Sequence, residues 1–135
     1  MKNTELIRLR LQQQSIASAL FRTPGEIVSW LGAVQAQDYP GGLWAVGLRL
    51  PGAVEADVER ALAAREIVRT WPMRGTLHFV AAADVRWMLE LMTPKIVAAN
   101  AGRLKRQMGL DEETFARSKD LFIRALEGGK QLTRN

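Results

Sequence analysis

The chain has 135 residues, of which 47% are hydrophobic, and a formal net charge of +5. This length and composition predict a folded globular protein with one domain, or with one small domain and part of a second. The absence of cysteine excludes disulfides, thiolate chemistry and cysteine-based zinc sites, and a single histidine argues against a histidine-rich metal site. No apolar run is long enough for a membrane span and no signal core is visible, so we expect a cytoplasmic protein.

The basic residues are mostly arginine, at fourteen of nineteen. Arginine suits phosphate because its planar fork donates two hydrogen bonds at once. Biased codon use would also replace lysine by arginine, and Arg/Glu pairs recur on the predicted helix faces. The charge is therefore compatible with a nucleic-acid partner but does not require one.

The first part of the chain is predicted to be helical. A first helix begins after a cap at residue 3 or 4, and a second begins at Thr23, with Pro24 at its first position and Glu26 completing a capping box. Apolar residues at positions 27, 28, 31 and 34 predict one buried stripe. The segment at 38–42, with its proline and paired glycines, is predicted to end this element.

The remaining elements follow from local signals. Residues 43–49 are ambiguous between a strand and a short helix, a turn is expected at Pro51-Gly52, and 54–65 predict a helix. Two strands are predicted at 67–71 and 76–80, with turn residues between them. Further helices are predicted at 82–92, stopped by a proline, at 95–108, and from residue 111 to the Gly-Gly pair at 128–129.

The order of these elements predicts a mainly α fold with a small β-hairpin. Three helices followed by a hairpin is the winged helix-turn-helix arrangement, in which the hairpin is the wing. We expect a winged-helix domain at 1–81, with its wing at about 67–80, and a helical segment at 82–135 that begins a second, incomplete domain. Residues 132–134 look like the entry to another helix, so the chain is expected to be a fragment of a longer protein.

The predicted hairpin is a candidate DNA-contacting element because 67–80 contain no acidic residue. Alternate residues of a strand share a face, so Arg69 and Trp71 are predicted to extend the face that carries His78, with Arg74 at the turn. Arg69, Arg74 and His78 are therefore candidate contacts to the DNA backbone. An ordinary solvated hairpin with Trp71 packed over its base is the alternative.

Two of the predicted helices, one before the hairpin and one after it, have opposite charge patterns. The preceding one, which would be the recognition helix, carries four acids and two arginines: Glu55, Asp57, Glu59 and Glu66 against Arg60 and Arg65. Phosphates would repel it, which argues against a conventional major-groove reader. The stretch at 95–108 has four cations and no acid, and is either a phosphate-binding surface or a solvated helix face.

Gln35 and Gln37 form the second candidate site, on either side of Ala36. In an extended segment the two amides share a face and Ala36 turns into the core, whereas in a helix they do not. The pair could orient a water and stabilise developing positive charge through its carbonyl oxygens. Glutamine has no tunable pKa for general-base work, so it suits only an already activated leaving group. Residue chemistry alone favours a structural role for both.

Residues 34–39, 43–49, 68–78 and 83–88 resemble the bacterial AlkZ/YcaQ-like winged-helix DNA glycosylases. The resemblance runs over most of residues 5–110. It implies tandem winged-helix domains and a C-terminal β-barrel, so that the missing C-terminal domains of the same protein would be partners of this chain. It also implies double-stranded, alkylated or crosslinked DNA as the substrate, and a nucleoid-associated location.

The resemblance places the catalytic Gln-apolar-Gln motif on Gln35 and Gln37. It implies hydrolysis of the N-glycosidic bond of N7-alkylated purines, including crosslink unhooking, by a monofunctional glycosylase without metal or cofactor. An N7-alkylguanine is cationic and leaves without a general acid, which fits neutral amides. The alternatives are a non-enzymatic winged-helix DNA-binding protein, such as a transcriptional regulator, and a structural or interaction module.

Overall fold

A computed structural model describes residues 3–133, which are mainly helical around one small antiparallel sheet. The predicted fold class is confirmed. The helices are α1 (Asn3–Gln13), α2 (Pro24–Leu31), α3 (Tyr39–Gly47), α4 (Glu55–Ala63), α5 (Ala82–Met108) and α6 (Glu112–Leu126), and a short 3-10 turn follows at Glu127–Gly129. The strands are β1 (Val34–Gln35), β2 (Ile67–Met73) and β3 (Thr76–Ala81). None of the helices within residues 3–133 has the length and apolar character needed to cross a membrane.

Helix α2 begins as the sequence predicts. Thr23 Oγ1 accepts a hydrogen bond from the Glu26 amide at 3.2 Å, and Glu26 Oε2 accepts one from the Thr23 amide at 3.3 Å. These reciprocal bonds satisfy amides that a helix start otherwise leaves open. The helix ends at Leu31, where Gly32 takes a φ of 75°. Val34 is buried as expected, but it belongs to β1 and not to the helix.

The segment at 38–42, predicted only to end the preceding element, also starts a new helix. Helix α3 begins at Tyr39 and includes Pro40 and both glycines, and four helices rather than three precede the hairpin. A proline in the first helical turn costs little because that amide has no partner within the helix. The ambiguity at 43–49 is thereby resolved as helix.

The three strands are arranged in the order β1-β3-β2, with both pairs antiparallel. The predicted hairpin is confirmed, and its turn consists of Arg74 and Gly75, whose φ angles are 50° and 70°. Two successive left-handed residues match the right-handed twist of the strands. The register shifts between Thr70 and Met73, where a bulge places the buried Pro72. A proline is tolerated there because a bulge interrupts the hydrogen-bond ladder.

The hydrophobic core formed by residues 27–79 lies between the sheet and helices α2, α3 and α4. Its buried members come from every one of these elements, and include Ile27, Val28, Val34, Ala36, Leu43, Val46, Val58, Ile67 and Phe79. Helix α4 contributes Val58 and Ala61, as its periodicity predicts. Because Ala36 belongs to this core, the segment that carries the two glutamines is anchored to the most buried part of the fold.

Helix α5 is continuous through Pro94, so the two helices predicted at 82–92 and 95–108 are one. A proline in a helix removes a single amide donor and need not end the helix. The chain divides into two compact units at this residue, after Pro94. The domain boundary expected after residue 81 stays a prediction.

The second compact unit contains the end of α5 and all of α6. Helix α6 begins after Asp111, whose Oδ1 accepts hydrogen bonds from the Thr114 amide at 2.9 Å and the Thr114 hydroxyl at 2.7 Å. These bonds lower the pKa of Asp111 below its ordinary value. The predicted start of this helix is confirmed, as is its end at the glycine pair.

Candidate active site around the glutamine pair

The residues around β1 alternate between core and surface. Val34 and Ala36 are buried, while Gln35 and Gln37 are exposed. The segment therefore has the extended form in which alternate side chains share a face. The ladder continues one residue past β1, because the Ala36 amide donates to the Leu77 carbonyl oxygen at 2.8 Å. Both amides lie on the face away from the core.

Helix α3 is packed so tightly against this segment that only a glycine fits at the contact. A β-carbon on Gly42 would lie 2.9 Å from Phe79 Cε2, 3.0 Å from Ala36 Cβ and 3.2 Å from Ala36 Cα. Gly42, in the segment predicted to end the preceding element, is therefore needed for close approach of a helix to the backbone. The same contact limits the residue between the glutamines to a small one.

Gln37 has a defined hydrogen-bond partner. Its Oε1 accepts a bond from the Leu77 amide at 3.1 Å. The Leu77 carbonyl accepts from the Ala36 amide, so the Leu77 amide faces the same side of β3. Gln37 satisfies this amide, while the Ala36 carbonyl accepts from Arg69. The bond orients the carboxamide and leaves it one lone pair and two N–H donors.

Gln35 is held only by its backbone. Its Cα partner in β3 is His78. Among the described residues, its side chain makes no hydrogen bond and is exposed. The two amides thus differ, since one is oriented and the other is available with its full hydrogen-bonding capacity.

Arg69 is turned toward the glutamine segment. Its Nη2 and Nε donate to the Ala36 carbonyl oxygen at 2.9 and 3.1 Å, and Nη2 reaches the Gln37 carbonyl oxygen at 3.4 Å. The guanidinium carbon lies 5.2 Å from the centre of the Tyr39 ring, in cation–π geometry. One edge and one flat face of the guanidinium are therefore in contact with other parts of the protein.

The predicted polar face of the hairpin is wrong. Arg69 pairs with Phe79, and His78 pairs with Thr70, so Arg69 and His78 lie on opposite faces of the sheet. A regular two-residue hairpin would have placed Trp71 opposite His78, as expected. The bulge shifts the register by one residue, and a shift of one residue reverses the faces.

The other two predicted contacts differ in exposure. His78 is 6% exposed, and its Nδ1 donates to the Thr76 carbonyl oxygen at 2.9 Å. It supports the sheet beside Gln35 and does not project from it. Arg74 is exposed at the hairpin tip, in the left-handed backbone region that a non-glycine residue occupies at a cost.

Tyr39 lies between the core residue Phe79 and the Arg69 guanidinium. Its ring meets Phe79 edge to face, with centroids 6.0 Å apart, and supports the Arg69 guanidinium. Burial, with the charge of Glu59 as a second cause, raises the pKa of Tyr39 above its ordinary value. The phenol therefore stays neutral near pH 7. Sequence reasoning missed Tyr39 and Gly42 as site residues, because their roles depend on contacts between distant parts of the chain.

The described residues also form cavities apart from the glutamine pair. A pocket of about 730 Å³ lies elsewhere, at the start of α2 and along α4, and its charged side chains include the paired Asp57 and Arg60. The outward residues Glu55 and Glu59 keep α4 acidic, as expected. In the described part of the chain, no three His, Asp or Glu side chains are grouped as a metal site would require.

Comparisons with known proteins point to one family. The family model of the AlkZ-like DNA glycosylases matches residues 28–135. An interstrand DNA cross-link repair glycosylase from Streptomyces sahachiroi is 31% identical over 83 residues. That alignment covers 62% of this chain and 22% of the relative, so the chain spans well under two thirds of the relative's length. No solved structure matches the chain. The resemblance noted in the sequence is confirmed.

Proposed function

Because the chain belongs to the AlkZ-like family of DNA glycosylases, we propose that it is part of an enzyme that hydrolyses the N-glycosidic bond of N7-alkylated purines, including crosslinked ones. The observation that carries the proposal is the glutamine pair. Gln35 and Gln37 share an exposed face, with Ala36 locked in the core between them. The activity named for the Streptomyces relative supports the same reaction class.

Hydrolysis of this N-glycosidic bond needs charge stabilisation and a positioned water, both of which two amides can provide. The bond between C1′ and N9 breaks with its electron pair passing to the purine, which neutralises the positive charge of the alkylated ring. Water adds to C1′ of the remaining sugar cation and loses a proton to solvent. The leaving group needs no protonation, so the protein contributes charge stabilisation and positioning of the water.

The two glutamines divide these tasks. Gln37 is oriented by the Leu77 amide, so its remaining lone pair has a fixed direction and accepts a hydrogen bond from the attacking water. Within residues 3–133 the Gln35 side chain has no competing hydrogen bond, and its carbonyl oxygen faces the sugar cation. His78 supports Gln35 from the neighbouring strand.

DNA binding is assigned to the hairpin and to α5. Arg74 at the exposed tip contacts a phosphate, and its left-handed backbone is a strain that a functional position tolerates. The basic residues Arg103, Lys105 and Arg106 at the end of α5 offer a second phosphate-binding surface. The acidic α4 stays away from the backbone. The succession of α2, β1, α3, α4 and a β-hairpin supports a winged-helix domain as the scaffold.

Further domains of the same protein are the proposed partners of this chain. The aligned relative is several times longer than the match. Helix α6 exposes a set of large apolar side chains that a single helix cannot bury: Phe115, Leu121, Phe122, Ile123 and Leu126. Such a face is typical of a surface covered by another part of a protein.

The proposal is tested by base release from DNA that contains 7-methylguanine or an N7-linked crosslink. The full-length protein that carries this chain is compared with its Gln35→Ala and Gln37→Ala variants under single-turnover conditions. Each variant is expected to lose a factor of about 100 or more in rate. Gln12→Ala, an exposed glutamine on α1, is the matched control and keeps the wild-type rate.

Equal rates for wild type and Gln37→Ala would remove the catalytic assignment. Tight, sequence-dependent binding to undamaged duplex without base release would favour the non-enzymatic regulator instead. The acidic surface of α4 counts against that second function.

A further inference from the structure

Both peptide groups around Ala36 are anchored from outside β1. The Ala36 amide donates to Leu77 in β3, and the Ala36 carbonyl oxygen accepts two bonds from Arg69 in β2. The carbonyl of Gln37, one residue later, lies within 3.4 Å of the same guanidinium. The Arg69 side chain thus contacts the carbonyls of both peptide groups that flank Gln37.

We propose that Arg69 is a positioning residue, which fixes the backbone between Gln35 and Gln37 so that both amides face the same reacting sugar. This inference rests on the proposed function, in which these amides act on the sugar and its water. It differs from the expectation that Arg69 is a phosphate contact. A cation whose Nε and Nη2 are already bound inside the protein has less capacity left for DNA.

The shape of the guanidinium explains why arginine occupies this position. Its Nε and Nη2 both donate to the Ala36 carbonyl oxygen while its flat face lies over the Tyr39 ring. Lysine carries the same charge but has no planar fork, so it cannot make both contacts at once. Tyr39 is in turn held edge to face by Phe79, which ties the arrangement to the core.

The test is Arg69→Lys in the full-length protein, with affinity and rate measured separately on 7-methylguanine DNA. A positioning role predicts that the single-turnover rate falls about tenfold or more, because small displacements of a catalytic group are costly. The dissociation constant for DNA stays within about twofold, since the charge is kept. Arg65→Lys, a substitution of another exposed arginine outside the site, leaves both quantities at wild-type values.

A second readout does not depend on activity. The Leu77 amide is protected by Gln37 Oε1, so its hydrogen exchange reports whether Gln37 is held in place. Arg69→Lys is expected to speed this exchange, as Gln37→Ala does, without changing the exchange of core amides such as that of Val28. If the wild-type protein releases no base, the proposed function fails, while this exchange still tests the positioning role.

Two outcomes would overturn the proposal. Weaker DNA binding with an unchanged single-turnover rate would make Arg69 a DNA contact. An unchanged Leu77 exchange in Arg69→Lys would show that Gln37 is held without it.

Discussion

Gly42 packs directly against the ring of Phe79, and a β-carbon at this position would lie 2.9 Å from Phe79 Cε2. The same atom would lie 3.0 Å from Ala36 Cβ. Real β-carbons do not approach so closely, so one of these neighbours would have to move. The contact therefore connects the packing of a core helix to the position of the two glutamines.

Gly42→Ala is expected to destabilise the fold, because the added methyl group overpacks a buried contact. The expected loss is about 1–3 kcal/mol in the free energy of unfolding, measured by urea denaturation. Gly47→Ala is the matched control in the same helix, because its β-carbon would meet nothing within 4 Å. It is expected to leave stability unchanged or raise it by up to about 1 kcal/mol. Equal effects of the two substitutions would contradict the packing described for Gly42.

Arg74→Asn is expected to change stability and DNA binding in opposite directions. Asparagine tolerates the φ of 50° better than arginine does, so the free energy of unfolding rises by up to about 1 kcal/mol. Loss of one phosphate contact lowers the magnitude of the slope of log affinity against log salt concentration by about one.

Arg65→Asn is the control for this prediction. Arg65 also has a left-handed backbone, with a φ of 61°, and its replacement removes the same charge. It is expected to gain stability in the same way and to keep the salt dependence of DNA binding. A parallel change of the slope in both variants would mean that net charge, and not the hairpin tip, controls affinity.

The rate of base release is expected to be independent of pH between about 6 and 8, because glutamine amides do not titrate. The measurement is the single-turnover rate on 7-methylguanine DNA across this range, with the enzyme in excess over the DNA and above the dissociation constant. A bell-shaped profile would reveal a titrating acid or base and would argue against amides as the main catalytic groups.

Acid is expected to weaken the start of α6 through Asp111. Hydrogen bonds from the Thr114 amide, and then from its hydroxyl, lower the pKa of this carboxyl in the folded state. A depressed pKa means that the stabilisation is present above the ordinary pKa and is lost as pH falls through the folded value. Helix content should therefore fall as pH drops below about 4, where aspartate begins to protonate.

Asp111→Asn separates this effect from general acid denaturation. Asparagine caps a helix through a side-chain oxygen that does not titrate. The variant should lose less helical circular dichroism than the wild type over the same acid range. The ¹³C shift of the Asp111 carboxyl provides the folded-state pKa directly, and a value at or above the ordinary one would contradict the hydrogen bonds described here.

Features that depend on near neighbours could be predicted from the sequence alone. The capping box at Thr23, the cap at Asp111 and the hairpin between β2 and β3 were predicted correctly, because each is built from residues a few positions apart. The spacing of Gln35 and Gln37 likewise predicted a shared face once the segment was extended. The family was also accessible from sequence, through the motif around these two residues.

The residues that meet at the site could not be predicted in this way, because packing brings them together. A bulge shifts the hairpin register by one residue and moves Arg69 to the face of Phe79, where it binds the Ala36 carbonyl. A segment with paired glycines forms α3, because Gly42 provides the space that a helix needs against Phe79. Local propensity predicts neither contact, because Arg69 and Ala36 are 33 positions apart and Gly42 and Phe79 are also distant in the chain.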